Sequence, residues 1–212
     1  DQPSEMRILD EQEAAAFAKL KAQDLYHRVG IDTYTSVDIN GLDGAHVFDL
    51  TVDIRSTYGF EDTFDLVTNF GTTEHVCDQL MAYRNIHNLC ATGGLMVGVV
   101  PFSCALNHGL FNVQPVFFEE LAKANNYELI GLFYTIASES IYTWCPYPYS
   151  RKLLEKLYAH VDYRLPSYGC EEQIGYIVKK THDAEFQLPY QGTQVYHNKI
   201  GIDLEKTYEN QN

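Results

Sequence analysis

Ala14, Ala18, Ala22, Leu25 and Val29 recur every three or four positions between charged residues, which predicts an amphipathic helix over residues 10–29 with Gly30 as its C-terminal stop. Tyr34–Ile39 (YTSVDI) and Ala45–Leu50 (AHVFDL) read as short strands that each close on an acid, with a turn at Asn40-Gly41 between them. Phe64–Phe70 (FDLVTNF) is nearly continuously apolar, so a strand buried on both faces is expected there. Thr72 or Thr73 can cap a helix running to about Leu89, with Val76, Leu80, Tyr83 and Ile86 as its buried stripe. Thr92-Gly93-Gly94 ends that helix and leads into a strand at Leu95–Val100.

A long loop, 101–114, comes next, and Pro115 then suits the first turn of a helix that Asn125-Asn126 closes, its Phe117, Leu121 and Ala124 on one face. Glu128–Tyr134 is a further strand, and 136–149 an aromatic loop holding Pro146 and Pro148. Ser150 caps a helix to about Val161, and Gln173–Lys180 is the last strand. Helices alternating with buried strands predict an α/β layered fold with a mostly parallel sheet. Ligands of such sheets sit beyond the carboxyl ends of the strands, where Asp38, Asp49, the 69–75 segment and the two long loops gather.

The 212 residues, 45% hydrophobic, suffice for one cored domain, expected over 1–185, with a polar tail at 186–212. A formal charge of −14 argues against nucleic-acid and anionic-membrane partners. Cys77, Cys90, Cys104, Cys145 and Cys170 show no metal or redox spacing and lie in apolar sequence, as expected of reduced thiols in a cytoplasmic protein. The eight histidines show no HxH or HExxH spacing, so no metal site is expected.

Two readings fit Asp38. Its carboxylate can take both hydroxyls of a ribose, with Ile39 and Asn40 beside it, or it can cap the Asn40-Gly41 turn. Asp49 can accept from an adenine amino group, with Leu50 offering its N–H, or stand as a solvated strand-end acid. His75 and His108 are candidate general bases, since imidazole titrates near working pH. Equally, His75 can be a helix-start residue packed on the sheet and His108 an exposed loop residue. Glu74 reads as a favourable charge in a helix's first turn rather than as a catalytic acid. Tyr142, Trp144, Tyr147 and Tyr149 can wall an acceptor pocket, cover a sheet edge or form a subunit contact.

FDLVTNFGTTEHV (64–76), TGGLMVGVVPF (92–102), FFEELAKANNYELIGLFY (117–134) and EQIGYIVKK (172–180), taken in order with the acids at 38 and 49, resemble the class I S-adenosylmethionine-dependent methyltransferases. The resemblance implies a Rossmann-like sheet, mostly parallel with an antiparallel last strand, and helices on both faces. It implies S-adenosylmethionine as cofactor and a small-molecule or glycan-type acceptor. Asp38 would lie on the ribose, Ile39 against the adenine, Asp49 and Leu50 at its edge, and Asn69, Phe70 and Gly71 near the reactive end.

The chain departs from that pattern at one place. The family's first strand and glycine-rich loop have no counterpart, since no glycine precedes Gly30. The chain is therefore expected to lack them, leaving the strands at 34–39 and 64–70 facing each other across a gap, unless Met6–Leu9 is a remnant lying between them. A methyltransferase-like binding module without catalysis is the alternative the missing loop favours. A nicotinamide-dependent oxidoreductase would need the same glycine fingerprint.

Overall fold

The computed structural model describes residues 20–103, 105, 107–138, 141–145 and 170–190. The chain divides into two compact units, Asp1–Asp49 and Leu50–Asn212. The helix expected at 150–161, the Met6–Leu9 run and the start of the first helix lie outside the described residues.

In the first unit, helix α1 covers Ala22–Arg28 and buries none of its residues; Leu25 and Val29 of the expected stripe are exposed. Gly30, at φ +84°, ends it as expected. The strands expected at 34–39 and 45–50 are not formed. A single parallel bridge, Val37 with His46, is all that joins them. Side chains compete with the ladder here: Asp38 Oδ1 accepts the Asn40 N–H at 2.9 Å and Asn40 Oδ1 accepts the Leu42 N–H at 2.7 Å. Left-handed backbone at Gly41, Asp43 and Gly44 then curls the chain into a 3-10 turn, Leu42–Gly44.

The second unit holds a five-stranded sheet in the order β1-β2-β5-β3-β4. Its strands are β1 (Phe64–Phe70), β2 (Cys90–Ser103), β3 (Glu128–Ser138), β4 (Ile141–Cys145) and β5 (Cys170–Lys179). Helix α2 covers Ile54–Tyr58, α3 Gln79–Leu89 and α4 Pro115–Ala124. The sheet is mixed rather than mostly parallel, and among the described residues only β1 with β2 is a parallel pair of strands. The cause is the position of β5. Strands β1, β2 and β3 run the same way, but the antiparallel last strand inserts between β2 and β3 and turns that junction into two antiparallel ladders.

Other differences have local causes. The helix expected from Thr72 is split into a 3-10 turn, Thr73–His75, and α3, because Asp78 caps a fresh start by accepting the Met81 N–H at 2.9 Å. The buried face of α3 is Ala82, Tyr83, Asn85, His87 and Leu89, leaving Leu80 exposed. Strand β1 is an edge strand among the described residues, so only Asn69 of it is buried and the expected two-sided burial fails. Of the segment expected as an aromatic loop, residues 136–138 end β3 and 141–145 form β4, paired antiparallel, and 139–140 and 146–149 lie outside the described residues. Pro115 opens α4 and Asn126, at φ +48°, follows its end, both as expected.

Helices α3 and α4 share one face of the sheet, where Tyr83 meets Phe117 and Phe118 at ring-centroid distances of 4.8 and 6.1 Å; helices on both faces are not seen among the described residues. Under them Phe118 stacks on Tyr176 of β5 at 4.2 Å, with Val100, Ile174 and Val178 around the pair. Burying one such aromatic contributes about 3 kcal/mol. At the far end of α3 the buried Lys180 ammonium donates to the carbonyls of His87 and Cys90, both at 3.1 Å, satisfying groups that the helix end leaves open. Past β5, Phe186 is buried in this core, and Gln187 exchanges two hydrogen bonds with the Asn125 amide.

Candidate functional site

Strand β1 ends against a tight polar knot. Gly71, at φ +72°, turns the chain, and its N–H donates to the Val99 carbonyl at 3.1 Å. Asn69 then ties the next turn to the sheet. Its Oδ1 accepts the Thr73 N–H at 3.2 Å, and its Nδ2 donates to Thr73 Oγ1 at 2.9 Å and to the Tyr176 hydroxyl at 3.2 Å. Burial holds the Tyr176 phenol well above its ordinary pKa, so it stays a neutral hydroxyl in this network. Gln79 Nε2 donates to the carbonyls of Thr73 and Val76 and clamps the same turn from α3.

The clamped turn sends Glu74 inward. Its side chain is fully buried, and neither carboxylate oxygen accepts a hydrogen bond. A loop after β2 lies across it: the N–H groups of Leu110 and Phe111 donate to the Glu74 carbonyl at 2.8 and 3.2 Å. Gly109 permits this approach, because a Cβ there would fall 2.9 Å from Glu74 Cγ. The docked loop brings His108 Nε2 to 3.6 Å from Glu74 Oε1, while His75 Nε2 stands 3.9 Å from the same oxygen. The two imidazoles lie 5.6 Å apart between centroids and are partly open to solvent.

The two histidines singled out in the sequence therefore meet, on one carboxylate that the sequence reading set aside as a helix-start charge. No local signal marks Glu74; its burial follows from Asn69, Gln79 and the loop carrying Gly109. Nor does short-range spacing reveal the histidine pair, because His75 follows β1 and His108 follows β2, and the parallel pairing of those strands puts both turns at one edge.

Other expected site residues stand as follows. Asn69 has its amide committed inside the protein, so its side chain supports the turn. Phe70 is exposed at the strand end. In the first unit Asp38 and Ile39 are exposed, and Asp38 Oδ1 accepts the Asn40 N–H. The Leu50 carbonyl accepts from Asn85 at 3.2 Å. Cys77 is an exposed free thiol; Cys90 is buried, which pushes its thiol up to about 11. No helix among the described residues is long and apolar enough to cross a membrane.

Asn69→Leu should lower stability by about 1–3 kcal/mol, because Thr73 and Tyr176 lose buried partners. Urea titration reads this directly; an unchanged midpoint would mean the amide is not holding the turn.

No protein-family profile matches the sequence. No curated protein matches it either. Among solved structures, a Bacillus halodurans protein provisionally described as a methyltransferase superimposes with a TM-score of 0.43 at 13% identity, over 68% of this chain and 74% of that one. The YcgJ protein of Bacillus subtilis gives 0.38 at 12% identity, over 58% and 66%. An S-adenosylmethionine-dependent methyltransferase of Clostridium acetobutylicum gives 0.29 at 15% identity, over 82% and 73%.

Proposed function

We propose that this chain transfers a methyl group from S-adenosylmethionine to a small-molecule or glycan-type acceptor. The reading is carried by one observation: the four motif segments form, in order, the strand ending in TNF, its parallel partner, a co-directional third strand and the antiparallel closing strand that the resemblance implies. When bound, the cofactor supplies a methyl group on a sulfonium, open to in-line attack.

The chain's own residues would then bind and orient. Asp38 and Ile39 are exposed, which suits contact with a ribose and with an adenine face. Asn40 shapes their turn, and Asp49 and Leu50 are assigned the adenine edge. Phe70 and Gly71 are assigned to the cofactor's reactive end. The committed amide of Asn69 does not fit a direct contact, so Asn69 acts by holding the strand end in place. His75 and His108 would take the proton of an acceptor hydroxyl.

Calorimetric titration with S-adenosylhomocysteine tests the reading, with NAD as the control that should give no heat. Asp38→Ala should weaken S-adenosylhomocysteine by about 1.5–3 kcal/mol, the loss expected for hydrogen bonds to a charged group. Unchanged affinity in a folded variant removes Asp38 from the site. A binding module without catalysis is the second reading; it predicts heat of binding and no turnover.

A further inference from the structure

We propose that Glu74, His75 and His108 form a divalent transition-metal site, best suited to zinc. One carboxylate oxygen and two imidazole nitrogens lie within 4.8 Å of one another, at the edge of the sheet where β1 and β2 end. Two imidazoles and one carboxylate are a donor set that zinc takes in open, three-ligand sites, and hard cations such as calcium prefer oxygen ligands alone.

The second observation is Glu74 itself. A fully buried carboxylate with no hydrogen bond to either oxygen lacks the compensation that buried anions require. Both imidazole Nε2 atoms face its Oε1 at 3.6 and 3.9 Å, beyond hydrogen-bonding range. A cation between the three atoms supplies that compensation. Ligand separations in a tetrahedral site with bonds of 2.0–2.1 Å are about 3.3 Å, so the set closes by small side-chain movements.

The surroundings hold the set in place. Asn69 and Gln79 fix the turn carrying Glu74 and His75, and two backbone hydrogen bonds fix the loop carrying His108. The partial exposure of both imidazoles leaves a solvent-side position for an exchangeable oxygen ligand. With the ion bound, both Nε2 lone pairs are committed to it. In that state the ion would supply the means of removing a proton from a hydroxyl acceptor, and the two histidines would act as proton acceptors only in the metal-free chain. The site itself stands on Glu74 and the two histidines, whether or not methyl transfer is the reaction.

The test uses the full chain, stripped with EDTA, desalted and titrated with zinc against a chromophoric chelator. One zinc per chain is expected with a submicromolar Kd, untouched by excess calcium. His75→Ala and His108→Ala should each weaken zinc by at least about tenfold, the loss expected for one ligand of three, whereas Cys77→Ser should leave it unchanged. Glu74→Gln should weaken it likewise; because that residue is buried, the two partly exposed histidine variants keep the test decisive if Glu74→Gln does not fold. Cobalt(II) in place of zinc should give a visible ligand-field band that each histidine variant alters. No stoichiometric zinc overturns the proposal, as does zinc lost in Cys77→Ser and retained in the histidine variants. None of these readouts depends on S-adenosylmethionine, so failure here leaves the methyl-transfer reading standing, and the reverse holds.

Discussion

Gly98→Ala should destabilise the second unit by about 3 kcal/mol, the upper range for forcing an extra methyl into a packed core. Gly98 sits in β2 directly opposite Tyr176 of β5. A Cβ at this position would fall 2.5 Å from Tyr176 Cζ and 2.6 Å from its hydroxyl oxygen. The ring cannot step aside, because Phe118 stacks on it at 4.2 Å and its hydroxyl accepts from Asn69. The strain therefore passes to the polar knot that holds Glu74. Urea denaturation of the variant checks the size, and a loss below about 1 kcal/mol would show that Tyr176 has room to move. Cutting back the ring with Tyr176→Ala in the same chain would remove the clash but open a cavity, so the double variant should not recover wild-type stability.

Acid should weaken the fold through His87. This ring is buried; its Nε2 donates to the Ala184 carbonyl at 2.8 Å, which leaves Nδ1 to accept from the Tyr127 hydroxyl at 2.6 Å. Burial, aided by the nearby Lys180 ammonium, pushes its pKa down to about 4 from an ordinary 6.5. The sign follows from proton uptake. Above pH 6.5 the ring is neutral in both folded and unfolded chains, and its full contribution is present. Between pH 6.5 and 4 the unfolded chain binds a proton that the folded one refuses, so stability falls as pH falls. The loss reaches about 3 kcal/mol near pH 4 and then levels, at about 1.4 kcal/mol per pH unit. Denaturation midpoints measured from pH 7.5 to 4 should show this slope in the wild type, and His87→Gln should flatten it while lowering stability at neutral pH. An equal slope in both proteins would assign the acid sensitivity to other groups.

Much of the second unit could be read directly from residues 64–134. The strand at Phe64–Phe70, the start of α4 at Pro115, its end at Asn125-Asn126 and the strand opening at Glu128 depend on local patterning, capping and turn chemistry. Where local signals competed, the reading failed. Tyr34–Ile39 has strand propensity, but Asp38 and Asn40 offer the backbone nearer partners, and the residues curl into turns. Thr72 and Asp78 both can cap a helix, and α3 starts at the later of the two, where Asp78 accepts the Met81 N–H. Val76 and Leu80 carry the right period for a buried stripe, yet lie before and on the exposed side of the helix that forms.

The candidate site divides in the same way. His75 and His108 stand out in the sequence by chemistry alone, as imidazoles able to bind a proton or a metal. That they share one buried carboxylate was decided by tertiary structure. Periodicity and propensity describe each residue's immediate neighbours along the chain, whereas Glu74 is buried by a loop from after the next strand and held by an asparagine bonded across to β5. The same limit applies to the sheet. The sequence by itself determined that the segment near 172–180 is a strand. Its insertion between β2 and β3, which makes the sheet mixed, rests on ladders to strands far away in the sequence, and no local pattern specifies which open edge a strand will pair with.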